Sequence, residues 1–230
     1  MSDPSVRRVD FGYVIRPAAE TGTGHPAVVP VLGYLIDHPQ GRILFDTGMG
    51  ADPDVDARYQ PRRRDLPDAL ADLGRTVRDV DIVVNCHLHF DHCGGNPDLG
   101  RRPIFTQRAE LETARSAPDY TLPELVDAPD LRYELLDGAA EILPGVTVLP
   151  TPGHTLGHQS LVVRRGDGTV IVAGQSHPGA SAFAGDVATV RARSEGHPQP
   201  LVPPPEWVHR LLRFDPKRVV FAHDSAVWIP

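Results

Sequence analysis

Asp81-Ile82-Val83-Val84-Asn85 is an apolar run of strand length, and it leads directly into His87-Leu88-His89-Phe90-Asp91-His92. A run this apolar belongs in a core, so its burial puts the polar loop at the carboxyl end of a core strand. That loop gathers four imidazole or carboxylate groups within six residues and is followed by Gly94-Gly95. Neutral imidazole with carboxylate is the ligand set preferred by zinc and neighbouring divalent metals. In extended geometry alternate residues share a side, so His87 and His89 can grip one metal together. A turn beginning at Asp91 then sends Asp91 and His92 toward a second.

The rest of the chain supplies strands and helices in two halves, punctuated by 24 prolines and 21 glycines. Val28–Asp37 is β-branched and apolar, His38-Pro39-Gln40-Gly41 is turn-like, and Arg42–Phe45 returns as the second arm of a hairpin. Asp65 stands at an N-cap position before Pro67, and Leu66, Leu70 and Leu73 repeat at helical spacing up to Gly74. Helices are expected around Gln107–Arg115 and Leu122–Asp127, and another carries Trp207, Leu211 and Phe214 against the core. Gly145–Leu149 leads into Thr151-Pro152-Gly153-His154, and His158–Arg164 pairs with Thr169–Ala173 across Gly166-Asp167-Gly168. Val219–Ala222 is a last apolar strand ending at His223. His87, His89, Asp91, His92, His154 and His223 thus all fall at strand ends.

Composition narrows the function classes. With 23 basic and 30 acidic residues the chain carries a net charge of −7, without the positive field that nucleic acid or an anionic membrane surface attracts. Two cysteines, Cys86 and Cys93, make no disulfide framework and read as buried and reduced, with Cys86 alternating away from His87 along the strand. Met1–Pro17 lacks the pattern of a secretory leader, and no apolar run approaches the ~18–20 residues that span a bilayer. The expectation is one cytoplasmic domain over residues 1–230 that takes a small-molecule substrate, with no nucleic acid or membrane partner. The oligomeric state stays open, a homodimer included.

His87–Asn96, with Phe45-Asp46-Thr47-Gly48 upstream, Thr151–Thr155 and Gly157-His158 downstream, and Phe221-Ala222-His223-Asp224 near the end, resembles the metallo-β-lactamase fold hydrolases. Within them it is most similar to the N-acyl-homoserine lactonase group. The resemblance implies an α/β fold, a four-layer αββα sandwich with a metal site along one edge between the sheets. It implies that His87, His89 and His154 bind one metal and that Asp91, His92 and His223 bind another. It further implies that Asp46 orients a ligand histidine from behind, or else caps its turn. One or two zinc ions per chain are implied, with manganese, cobalt or iron as alternatives.

Two positions depart from the family pattern. Where a bridging aspartate is normal, this chain has Ala173-Gly174-Gln175, and a glutamine amide offers one neutral oxygen where a carboxylate gives an anionic oxygen to each metal. The outcomes are a weakened second site, compensation by Ser176 or His177, or a metal-poor protein; otherwise His177 is a solvent-exposed loop histidine. Second, the group's tyrosine a few residues further on is missing from Ser176–Gly185, where Phe183 is the aromatic residue. The implied chemistry is attack of a metal-activated hydroxide on a lactone or small ester, with Asp91 holding the water and protonating the leaving alkoxide. A thioesterase or phosphoesterase of the same fold, and a degenerate non-catalytic member, are the alternatives. Arg62-Arg63-Arg64 reads as a short solvated run. Thr21–Pro30, with His25, reads as a plain surface loop or else one covering a pocket, and the Pro/Gly-rich connection from Pro178 to Pro205 as a long one that shapes the pocket.

Overall fold

The computed structural model describes residues 3–230; Met1 and Ser2, the start of the Met1–Pro17 opening, lie outside it. The first sheet contains β1 (Ser5–Arg16), β2 (Ala27–His38), β3 (Gly41–Phe45), β4 (Arg62–Arg63), β5 (Ile82–Val84), β6 (Pro103–Gln107) and β7 (Arg132–Leu136). The second contains β8 (Ala140–Leu143), β9 (Val146–Pro150), β10 (Gln159–Val163), β11 (Thr169–Val172) and β12 (Pro216–Val220). Spatial order is β4-β1-β2-β3-β5-β6-β7 in one and β12-β11-β10-β9-β8 in the other. The helices are α1 (Ala18–Thr21), α2 (Pro53–Tyr59), α3 (Leu66–Ala71), α4 (Phe90–Cys93), α5 (Arg108–Ser116), α6 (Pro123–Val126), α7 (Ala180–Ser194) and α8 (Glu206–Leu212).

Period-two alternation with apolar residues on both faces makes these strands interior ones. Ile36, Ile43, Phe45 and Val84 point between the sheets and meet Val148, Leu161, Val163 and Val172 of the other. Their neighbours Leu35, Leu44 and Val83 point the opposite way, onto Leu66 and Leu70 of α3. On the far side Val162, Ile171 and Val219 meet Phe183 of α7 and Trp207 and Leu211 of α8. The layers are helix, sheet, sheet, helix, as the αββα expectation requires. Each fully buried Leu, Ile, Val or Phe contributes ~1.5–3 kcal/mol, so the inter-sheet layer is a principal source of stability.

The chain directions position the site. β3 runs parallel to β5, and β11 parallel to β12. The loops after β3, β5, β9, β11 and β12 therefore leave the two sheets at one edge. Gly174 shows how tightly they meet: its φ is +58°, and a Cβ there would lie 2.5 Å from the Cys86 Cβ. Only glycine fits that left-handed turn against the β5 loop without strain.

Several expectations are corrected. The connection from Pro178 to Pro205 is not a loop throughout: Ala180–Ser194 is the 15-residue α7, an Ala-rich segment with good helix propensity. Thr21–Pro30 holds the end of α1 and the start of β2, and His25 is exposed in the short turn between them. Arg62 and Arg63 form the short β4 against β1 rather than a free run, and the Arg63 guanidinium is held by Asp56 and by the Gly50 carbonyl. Asp65 does occupy the N-cap of α3, but its side chain makes no cap hydrogen bond. Cys86 and Cys93 are free and buried. No helix among the described residues is long and apolar enough to cross a membrane.

Candidate metal centre

Two clusters of donor atoms lie side by side where the strands end. In one, His87 Nε2 is 2.9 Å from His89 Nδ1, and His154 Nε2 is 3.2 Å from the same atom. In the other, His92 Nε2 and His223 Nε2 are 3.2 Å apart and each is 3.5 Å from an Asp91 carboxylate oxygen. Nitrogens of facing imidazoles can share at most one proton per pair, so three of them converging is an arrangement that a cation completes. Ligands in a tetrahedral zinc shell lie about 3.3 Å from one another, which matches these separations. The donor set therefore fits a divalent metal in each cluster.

The other ring nitrogens are held from behind. His223 Nδ1 donates to the Pro30 carbonyl at 2.8 Å, and His92 Nδ1 donates to Asp46 Oδ2 at 3.0 Å. Asp46 is buried, and its Oδ1 also accepts the Cys86 backbone N–H at 2.7 Å, so it joins the β3 and β5 loops while fixing one imidazole. Such partners set the tautomer and orientation of a ligating histidine. Asp46 adopts φ +60°, a left-handed conformation that aspartate tolerates better than most residues.

Charge divides the clusters. Burial, reinforced by its histidine neighbours, holds His87 well below the ordinary imidazole range. Desolvation of the ring brings His89 down to about 4, and desolvation with the neighbouring imidazoles of His89 and His92 brings the more exposed His154 down to about 3. These three are neutral donors at neutral pH. His92 is different: burial pushes it down, but the Asp91 and Asp46 carboxylates outweigh that and raise it to about 9. Asp91 is lowered, because His92, His223 and His89 offset its own burial.

Gln175 enters the second cluster, its Oε1 lying 3.1 Å from His92 Nε2. Its backbone N–H donates to His158 Nε2 at 3.1 Å, and His158 Nδ1 faces the Thr151 hydroxyl and carbonyl. Buried His158 thus fixes the Gln175 loop and keeps its own nitrogens occupied. His177 is neither a member of these clusters nor solvent-exposed: it is buried beside Phe183 and Trp207, with Nε2 3.1 Å from Asp186. Cys86 does not alternate away from His87. β5 stops at Val84, the backbone turns, and Sγ lies 3.1 Å from His87 Nδ1 and 3.3 Å from His92 Nδ1. Burial and the nearby Asp46 push that thiol well up, leaving it protonated.

A cavity of about 710 Å³ opens over both clusters, with His89, Asp91, His154, Gln175 and His223 in its wall. Val14, Val29, Phe90 and Leu122 give it an apolar part, and Glu20 with Arg58 closes one side as an ion pair. The sequence reading missed Tyr120, whose ring lies 4.5 Å from that of His89 in the same cavity. It sits in an irregular segment between α5 and α6 with no periodic signal, and only the tertiary fold brings it here.

The metallo-beta-lactamase superfamily model matches residues 26–223, and the chain belongs to that superfamily. An N-acyl homoserine lactonase from a Bacillus species is 37% identical over 148 residues, covering 59% of this chain and 58% of that protein. The chain therefore matches somewhat under three-fifths of that relative's length. Among solved structures, a Bacillus thuringiensis AiiA variant with N-decanoyl-L-homoserine at its active site aligns over 98% of this chain and 95% of its own, with TM-score 0.76 and 24% identity. AidC, a dizinc quorum-quenching lactonase in complex with its product, aligns over 97% and 88%, with TM-score 0.65 and 16% identity. At these identities the structural likenesses speak for the fold.

Proposed function

We propose that this chain is a metal-dependent hydrolase that opens a lactone of the N-acyl-homoserine type, with His87, His89 and His154 holding one zinc and Asp91, His92 and His223, beside Gln175, holding a second, weaker one. The observation that carries the reading is the convergence of both donor clusters on one wall of a cavity that also has an apolar part. The lactonase relative supports the substrate class. A metal held in such a shell would lower the pKa of coordinated water toward neutrality and polarise a carbonyl oxygen.

The chain's own groups do the rest. The first three histidines stay neutral through mild acid because ring desolvation and one another's proximity depress them, so they remain donors under working conditions. Asp46 holds the His92 ring in one orientation. Asp91, facing the cavity, is the group placed to take a proton from the attacking water and return it to the alkoxide of the opening ring. Val14, Val29, Phe90 and Leu122 receive an apolar acyl group by burying it from water.

The test is lactone opening followed by acid release in a pH-stat, with tag-free zinc-loaded protein and a panel of N-acyl-homoserine lactones against a thioester and a phosphodiester. Saturable lactone turnover that disappears in His89→Ala supports the reading. Turnover confined to the thioester or phosphodiester moves the chain to another activity of the superfamily, and wild-type turnover retained in His89→Ala removes the metal mechanism.

A further inference from the structure

Glu110, near the start of α5, is wholly buried, although a carboxylate is among the costliest side chains to take out of water. Two of its three partners come from segments that carry the first histidine cluster, and the third packs its ring on His89. Oε1 accepts the Leu88 backbone N–H at 2.8 Å, from the residue between His87 and His89. It also accepts the hydroxyl of Tyr120, whose ring lies 4.5 Å from the His89 ring. Oε2 accepts the hydroxyl of Thr155, the residue after His154, at 2.7 Å. One carboxylate therefore ties together the three pieces of backbone and ring that fix His87, His89 and His154.

The approach is built into the sequence. At Gly157, three residues past His154, a Cβ would lie 2.5 Å from both the Glu110 Cβ and its backbone nitrogen. Glycine there lets the His154 loop sit on the first turn of α5, where any other residue would push Glu110 out of reach of Thr155. All three partners of Glu110 are neutral donors, so hydrogen bonds satisfy its oxygens while nothing cancels its charge. The neighbouring cluster is the reverse case, three neutral donors arranged for a cation. In a low-dielectric interior such opposite charges act on each other over more than one layer of residues.

We infer that Glu110 is a positioning residue of the first cluster: it locks the three histidines into a common geometry and supplies the buried negative charge that a cation there balances. The inference rests on the reading of His87, His89 and His154 as a metal site. Glu110→Gln keeps the shape and can keep the hydrogen bonds, because an amide oxygen accepts twice and the Thr155 hydroxyl can turn to accept. It removes the charge alone. Thr155→Val leaves the charge and removes one tether.

The experiment is titration of the tag-free, metal-free chain with zinc against a chromophoric chelator, resolving the first and second equivalents, with thermal unfolding of the metal-free proteins alongside. Glu110→Gln is expected to weaken the first equivalent by about 10–100-fold, the range for groups behind metal ligands, and to leave the second within about threefold. Thr155→Val is expected to weaken the first equivalent by about 3–10-fold, a single hydrogen bond's worth. A general structural role would lower the unfolding temperature and weaken both equivalents together, and that pattern overturns the inference. So does first-equivalent affinity within about twofold of wild type in folded Glu110→Gln; should that variant not fold, unchanged affinity in Thr155→Val decides against it. If the unmodified chain takes up no zinc, the metal reading itself fails, an outcome distinct from wild-type uptake that Glu110→Gln does not alter.

Discussion

The two donor clusters draw on nearly the same side chains and differ in what surrounds them. His87, His89 and His154 face one another with no carboxylate in their set, and desolvation of the rings, reinforced at His87 and His154 by neighbouring imidazoles, keeps all three uncharged. Asp91, His92 and His223 form a charged set, in which two carboxylates hold a proton on His92 and Gln175 adds a neutral oxygen. On the proposed reading the first cluster needs no proton removed before it takes a metal. The second must lose one, and it has Asp91 as its sole anionic donor. Ligand identity alone does not make two sites equal; burial and the charges behind the ligands rank them.

The largest effect falls on the first cluster. His89→Ala takes away the donor common to its two close contacts, and the loss of tight zinc binding should exceed the ~10–100-fold cost of an outer change, with hydrolysis lost as well. Elemental analysis by mass spectrometry with the pH-stat assay checks both. Full occupancy would mean that His89 is not a ligand of the first site.

Gln175→Asp narrows the difference from the other side. It makes the second site one unit less positive when filled and lets an anionic oxygen face each metal, so second-equivalent affinity should rise by about 10–100-fold, read by chelator competition. No gain would mean that Gln175 is not the cause of the inequality.

Asp46→Asn should widen it. The amide oxygen can still accept the Cys86 N–H, but the carboxylate behind His92 is gone. Second-equivalent affinity should fall about tenfold or more with the first unchanged.

A last effect is on protons, about tenfold for each pH unit. A metal competes with a proton for an imidazole, so a site whose histidine titrates at about 9 must release that proton at pH 7, whereas groups at about 4 and about 3 have none to release. Second-equivalent affinity should therefore rise by about tenfold per pH unit from 6 to 8 and level off near 9, while the first stays nearly flat. Calorimetry in buffers of different ionisation heats would read about one proton released by the second equivalent and about none by the first.

Much of this centre was legible in the sequence because strand ends are. Apolar runs such as Ile82–Val84 and Val219–Val220 mark the interior, and the polar residues just past them emerge at one edge. The hairpin and the Trp207 helix followed from the same patterning. What stayed hidden depends on contacts distant in sequence. Glu110 reaches the Leu88 N–H, and Tyr120 the His89 ring, only through the tertiary fold, and no local pattern distinguishes Glu110 from Glu112 two residues on. Alternation failed at Cys86 because it was carried past the end of β5. α7 was hidden by Pro178-Gly179 ahead of it and by its weak apolar stripe, with only Ala180 and Phe183 buried. His177 looked like a loop histidine because the aromatic residues that bury it, Trp207 and Phe221, come from far along the chain.

The most direct test of unequal clusters is a zinc titration of the tag-free, metal-free chain at pH 7, following free zinc and released protons together. Two steps are expected: a tight first equivalent with almost no proton release, then a second at least about 100-fold weaker that releases about one proton. A single step taking two equivalents with equal affinity, or a first equivalent that releases a full proton, would contradict that inequality.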